Sequence, residues 1–142
     1  MKKLYEASST AVGGRTGHVT SDDKKIDMEL SVPKGLGGEG GKGTNPEQLF
    51  GSAYAACFGS AIQLVAENEK IDLSDDMSVT ATIEIGKTKE DNLQLQATLD
   101  CYLPGVDVET GEDLVNKAHK VCPYSRATRD NITVTLNLLL DE

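Results

Sequence analysis

The most reactive side chains in this sequence are three thiols, Cys57, Cys101 and Cys122. An odd number cannot form a complete disulfide framework, and a chain of 142 residues can bury its own core without one. Cysteines used in this way are core filler, metal ligands or redox groups of a reducing compartment. Cys101 falls in phase with Leu93, Leu95, Ala97, Leu99 and Leu103, on the apolar side of an alternating run, and reads as structural. Cys57 lies within SAYAACFGSA, in the middle of a helical pattern. Core packing remains open for it. A reactive role needs a thiolate, and a mid-helix position brings no help from the helix dipole, so a cation must come from elsewhere. Arg15, in the turn-like GGRTG, is a candidate, and the planar two-point pairing of a carboxylate such as Glu47 could hold it. A solvated loop arginine is the alternative. Cys122 closes a second helical pattern in VCPYS. A helix C-terminus gives a thiol no electrostatic push, which suits Cys122 less to a first attack than to condensing with an oxidised sulfur.

Other chemistries find little support. The two histidines, His18 and His119, stand in no C-x-x-C or H-x-x-x-H spacing, and His119 reads as an exposed helix residue. No G-x-S-x-G elbow supports a serine nucleophile. Gly38, Gly40 and Gly43 match G-x-G-x-x-G between a strand and a helix, but that strand alternates where a dinucleotide-binding strand is nearly all apolar. The phosphate-loop pattern fails as well, since Leu36 and Gly43 occupy its glycine and hydroxyl positions. The expectation is a flexible loop, with no metal, nucleotide or other cofactor.

The elements that must position the thiols follow from periodicity. Residues 4–12 form a weak strand candidate ending at Gly13-Gly14, and Ile26, Met28, Leu30 and Val32 alternate as a half-buried strand. After the glycine-rich loop, a long helix runs from Pro46 to about residue 70. Asn45 is its cap, because a residue before proline is pushed out of the helical region while Pro46 suits the first helical position. Glu47 sits in the first turn, where the dipole favours an anion. Alternating runs at 77–85 and 93–103 flank the turn-like GKTKEDN. Thr110 caps a second helix whose stripe is Leu114, Ala118, Val121 and Cys122, and Pro123 stops it. Ile132, Val134, Leu136, Leu138 and Leu140 share one face of a last strand. This order predicts a single α+β domain over residues 1–142, with a mainly antiparallel sheet.

Fourteen basic against twenty-three acidic residues give a net charge of -9, which disfavours nucleic acid and anionic membrane surfaces. MKKLYEASST has no apolar stretch behind its lysines and is not a signal peptide. No run is expected to reach the ~18 apolar residues of a membrane span, so the expected location is cytoplasmic.

Three blocks carry a specific likeness: GGRTGHVTS (13–21), TNPEQLFGSAYAACFGSA (44–61) and VCPYSRATRDNI (121–132). With them the chain resembles, essentially end to end, the organic hydroperoxide resistance (Ohr) subfamily of the Ohr/OsmC superfamily. The resemblance implies mainly antiparallel sheets with a long central helix, in an intertwined homodimer with two active sites at the subunit interface. It implies a cysteine peroxidase for alkyl and fatty-acid hydroperoxides, recycled by a dithiol reductant of the lipoyl type, with a lipoylated protein as the expected partner. By motif, the peroxidatic cysteine falls on Cys57, the resolving cysteine on Cys122, and the activating pair on Arg15 and Glu47. Tyr54, Phe58, Phe50 and Leu36 are expected to shelter an alkyl tail. One departure stands out, Asp130 where glycine is expected after ATR, which bears on the loop behind Cys122.

The spacing adds a constraint. Ten positions separate Glu47 from Cys57 on one helix, which is about 15 Å along the axis and about 80° in azimuth. Gly51 alone is a weak breaker. An Arg15 that grips Glu47 therefore has trouble reaching Cys57 of the same chain, and composite sites in an obligate dimer are expected. The competing class is a non-catalytic α+β dimer in which all three thiols are filler.

Overall fold

The computed structural model describes residues 1–140. The chain forms two compact units, Met1–Leu49 and a second that begins at Phe50.

The first unit is a three-stranded antiparallel sheet of β1 (Ser9–Val12), β2 (His18–Ser21) and β3 (Asp27–Glu29), in the order β1-β2-β3. β1 is shorter than the expected 4–12 run. β2 was not expected, because HVTS is short and shows no alternation. A tight reversal creates it: Gly13 takes a φ of 82°, a 3-10 turn covers Gly14–Thr16, and any Cβ on Gly17 would lie 1.6 Å from the Val12 carbonyl oxygen. Only glycine closes such a turn, and the turn carries Arg15. The half-buried strand expected over Ile26 to Val32 is corrected as well. Ile26 and Met28 are exposed, and only Leu30 is buried, paired with Thr44 in an isolated bridge beyond β3. Ser31 Oγ accepts from the Gly43 N–H at 2.8 Å, so the glycine-rich loop folds back on the segment that leads into it.

Helix α1 (Pro46–Asn68) carries the chain into the second unit. Asn45 caps it as expected, its Oδ1 accepting from the Gln48 N–H at 2.9 Å. The helix ends where Lys70 turns left-handed, with a φ of 57°, and the Ile71 N–H reaches back to the Ala66 carbonyl at 2.8 Å. By length and composition alone α1 is apolar enough to cross a membrane, its most apolar 18-residue window having a mean hydropathy of 1.5, and here that apolarity serves a core helix. Tyr54, Phe58, Ile62 and Val65 on this helix belong to the core of the second unit.

β4 (Ser78–Lys87) and β5 (Leu93–Tyr102) form an antiparallel hairpin, and β6 (Val134–Leu139) pairs parallel to β5, giving the order β4-β5-β6. The fold is therefore α+β with mainly antiparallel sheets and a long helix. The one parallel ladder needs a crossover, which α2 (Val108–Val121) and α3 (Pro123–Thr128) supply. Ala97, Leu99 and Cys101 of β5 are buried in phase, as expected, while Leu93 at the head of the strand is exposed. The cap of α2 is Asp107 rather than Thr110. Its carboxylate accepts from the Thr110 N–H and hydroxyl, both at 2.9 Å, and a carboxylate also suits the positive end of the dipole. Pro123 ends α2, but it also opens α3, where its missing N–H costs nothing at the first helical position. Asp130 takes a φ of 62°, so the aspartate occupies a left-handed conformation of the kind glycine favours.

Candidate active site

In the first unit the reversal between β1 and β2 presents Arg15 to the first turn of α1. Nη1 donates to Glu47 Oε2 at 2.9 Å and Nη2 to Oε1 at 2.7 Å, the two-point pairing that the chemistry allowed and the family likeness implied. The Arg15 bond, outweighing burial, holds the Glu47 carboxyl below the usual carboxylate range. The same bond holds the guanidinium above its ordinary value, so both partners are ionised at neutral pH. A guanidinium has five N–H donors, and this pairing uses two.

In the second unit α1 carries half-buried Cys57, and fully buried Cys122 sits at the α2–α3 junction. Cys122 is extended, with φ -64° and ψ 123°. Its N–H donates to the Ala118 carbonyl at the end of α2, while its carbonyl accepts from the Arg126 N–H in α3, at 3.0 Å. It thus belongs to a helix start as much as to a helix end. The helix dipole therefore does not set it against a role as first nucleophile. Its sulfur donates to that of Cys57 at 3.6 Å, and both thiols are free. A disulfide bond is about 2.05 Å long, so the pair is reduced but within reach of closure. Burial pushes the Cys57 thiol up. Cys122 adds to this, because two sulfurs in contact hold at most one negative charge, and the backbone N–H of Tyr124 opposes both by donating to the Cys57 sulfur. Within this unit Cys57 is therefore not poised as a thiolate. Cys101 is fully buried and pushed up to about 12, by burial first and then by Asp100, which leaves it a neutral core thiol.

Beside the junction lies a mostly apolar cavity of about 450 Å³, whose walls include Phe50, Leu95, Pro123, Tyr124 and Ile132. The Phe50 and Tyr124 rings stack with centroids 6.4 Å apart. Of the residues expected around an alkyl tail, Phe50 lines this space. Tyr54 and Phe58 are fully buried behind it and offer no surface, because α1 turns them into the core. Leu36 lies on the 3-10 turn Lys34–Leu36 of the first unit. Tyr124, Pro123 and Ile132 were not expected around a substrate, although all three fall in the block 121–132 that contains Cys122. His119 is corrected too. It is half-buried against Phe58, its Nδ1 is enclosed with no hydrogen-bond partner among the described residues, and burial lowers its pKa. Among the described residues no three of His, Cys, Asp and Glu gather as a metal site.

The family profile described as OsmC-like protein matches residues 38–137. The organic hydroperoxide resistance protein of Xanthomonas axonopodis pv. citri is 48% identical over 137 residues, which cover 96% of each chain. The chain belongs to the organic hydroperoxide resistance family of OsmC-like proteins. Solved structures of the family agree. An organic hydroperoxide resistance protein from Elizabethkingia anophelis, with crystallant-derived thiocyanate bound, superimposes with a TM-score of 0.92 at 45% identity, over 99% of this chain and all of that one. The organic hydroperoxide resistance protein OhrB of Bacillus subtilis gives a TM-score of 0.87 at 40% identity, over 96% of this chain and 99% of that one.

Proposed function

We propose that this chain is a cysteine peroxidase that reduces alkyl and fatty-acid hydroperoxides to alcohols, in defence against oxidative stress. The observation that carries the reading is the 3.6 Å approach of the Cys57 and Cys122 sulfurs, one half-buried and one fully buried. The names of the relatives support the substrate class.

The Cys57 thiolate attacks the distal peroxide oxygen. The O–O bond breaks, the alkoxide leaves and takes up a proton as the alcohol, and the sulfur is oxidised to a sulfenic acid. The Cys122 thiol condenses with that acid, forming the S–S bond and releasing water. An external dithiol, a lipoyl group of a protein, then exchanges with the disulfide, returning both thiols and leaving as its own disulfide. Arg15, oriented by Glu47, holds the Cys57 thiolate against the burial that opposes it. A second copy of the chain supplies that pair, so the working form is an obligate homodimer of single-domain subunits. The cycle runs on sulfur alone, and a reducing cytoplasm keeps its thiols available.

The apolar cavity beside Cys122 supports organic over inorganic peroxide. Burying a methylene contributes about 0.8 kcal/mol, so two or three of them favour an alkyl hydroperoxide by roughly tenfold or more. Turnover of cumene hydroperoxide and hydrogen peroxide with a dithiol reductant tests this. The account expects the higher kcat/KM for the organic substrate, and comparable values contradict it.

A further inference from the structure

A ring of hydrogen bonds through three buried hydroxyls and the Ser125 carbonyl ties the helix of Cys57 to the short helix behind Cys122. Tyr54 Oη lies 2.8 Å from Ser125 Oγ and 3.0 Å from Thr128 Oγ1, and the Thr128 hydroxyl donates to the Ser125 carbonyl at 3.3 Å. With that proton placed, one assignment satisfies the others: Tyr54 donates to Thr128 and accepts from Ser125. Tyr54 and Ser125 are fully buried and Thr128 nearly so.

The ring stands one turn from the thiols on both sides. Tyr54 precedes Cys57 by three residues on α1, and Ser125 follows Cys122 by three, so each offset is about 4.5 Å along its helix. The hydroxyl contact and the sulfur contact are thus adjacent rungs between the same two elements. α3 has six residues, too few to hold a helix by itself, so its outside contacts set its place. The sulfurs have still to close from 3.6 Å to about 2.05 Å.

We propose that the Tyr54 hydroxyl, through Ser125 and Thr128, is a positioning group for disulfide closure between Cys57 and Cys122. It sets how often the Cys122 sulfur meets an oxidised Cys57, and it touches neither peroxide nor the reacting sulfurs. The proposal rests on the peroxidase reading for the source of the sulfenic acid, but not for the closure itself. In a mixed disulfide between Cys57 and a small thiol, the Cys122 thiolate attacks the Cys57 sulfur, the new S–S bond forms, and the small thiol leaves with the electron pair.

Tyr54→Phe is the decisive variant, because it keeps the ring contacts to Phe50 and Tyr124, both at 5.9 Å between centroids, and removes only the oxygen. Closure is measured twice. One assay follows trapping of the sulfenic acid by a 1,3-diketone after one equivalent of cumene hydroperoxide. The other follows release of glutathione from Cys57 carrying it as a mixed disulfide. Tyr54→Phe and Ser125→Ala should each slow closure by roughly tenfold in both assays, with trapped sulfenic acid rising to match and the double variant falling no further. Ile62→Val, which loosens the core away from the ring, should leave closure at the wild-type rate. Closure within about twofold of wild type in Tyr54→Phe and Ser125→Ala, or equal slowing in Ile62→Val, overturns the proposal. Should Tyr54→Phe fail to fold, Thr128→Val and Ser125→Ala decide by the same criterion. A wild-type chain that ignores the hydroperoxide yet releases glutathione refutes the peroxidase reading alone, and the exchange assay then decides the positioning role.

Discussion

The sulfur of fully buried Cys122 rests 3.6 Å from that of half-buried Cys57. Peroxide from solvent can reach only the second without opening the fold. Cys57→Ser should therefore abolish turnover, whereas Cys122→Ser should pass through one oxidation and stall with sulfenic acid on Cys57. Mass spectrometry after one equivalent of alkyl hydroperoxide checks this. Equal loss of that first oxidation in both variants contradicts the division of roles.

Burial and Cys122 push the Cys57 thiol up within its own unit, so its reactivity near neutral pH must come from a cation. Arg15→Ala should move the midpoint of thiol alkylation against pH upward by about one unit or more, and Glu47→Gln should move it the same way by less. The sign on the acid side follows from Glu47, whose carboxyl lies below its ordinary value in the fold. Stability from the pair is complete above the ordinary carboxylate range and is lost as pH falls through the lowered value. Neutral activity is then untouched by Glu47 titration. An unchanged alkylation midpoint in Arg15→Ala removes Arg15 from the mechanism.

Asp130 holds a φ of 62° in the turn after α3. Aspartate tolerates this region better than most residues, but glycine enters it without a Cβ clash. Asp130→Gly should raise the unfolding free energy by about 0.5 kcal/mol, the relieved strain slightly exceeding the added freedom of the unfolded chain. Chemical denaturation measures it, and a lower midpoint contradicts it.

The composite site can be tested by complementation. Cys57→Ser is inactive and Arg15→Ala is impaired in the account. Mixed under conditions that exchange subunits, they should regain activity, because one of the two sites in a heterodimer then has both residues intact. No recovery above the parents places arginine and cysteine on the same chain.

What could be read from the sequence divides along physical lines. Asn45 and Pro46 announced the start of α1, because capping and the proline ring act locally. The buried phase of β5 was legible from alternation, and Cys101 with it. The complementary shapes of guanidinium and carboxylate made an Arg15–Glu47 pairing possible, but across 32 positions family likeness singled it out. Thr110 was expected to cap α2 because its type suits the role, but Asp107 three positions earlier takes it, its carboxylate accepting twice. β2 left no periodic trace, since four residues of mixed polarity owe their pairing to the glycine reversal. His119 and Tyr54 are enclosed by neighbours distant in sequence, which no local pattern records. The proximity of Cys57 to Cys122 came from family likeness rather than from spacing.

The most direct test of the central claim is a thiol count. The reduced chain has three thiols, Cys57, Cys101 and Cys122. After one equivalent of an alkyl hydroperoxide per chain, followed by quenching and alkylation, the account predicts rapid loss of two thiols, recovered together as a Cys57–Cys122 disulfide, with Cys101 still reduced. Retention of all three, or a disulfide that includes Cys101, contradicts it.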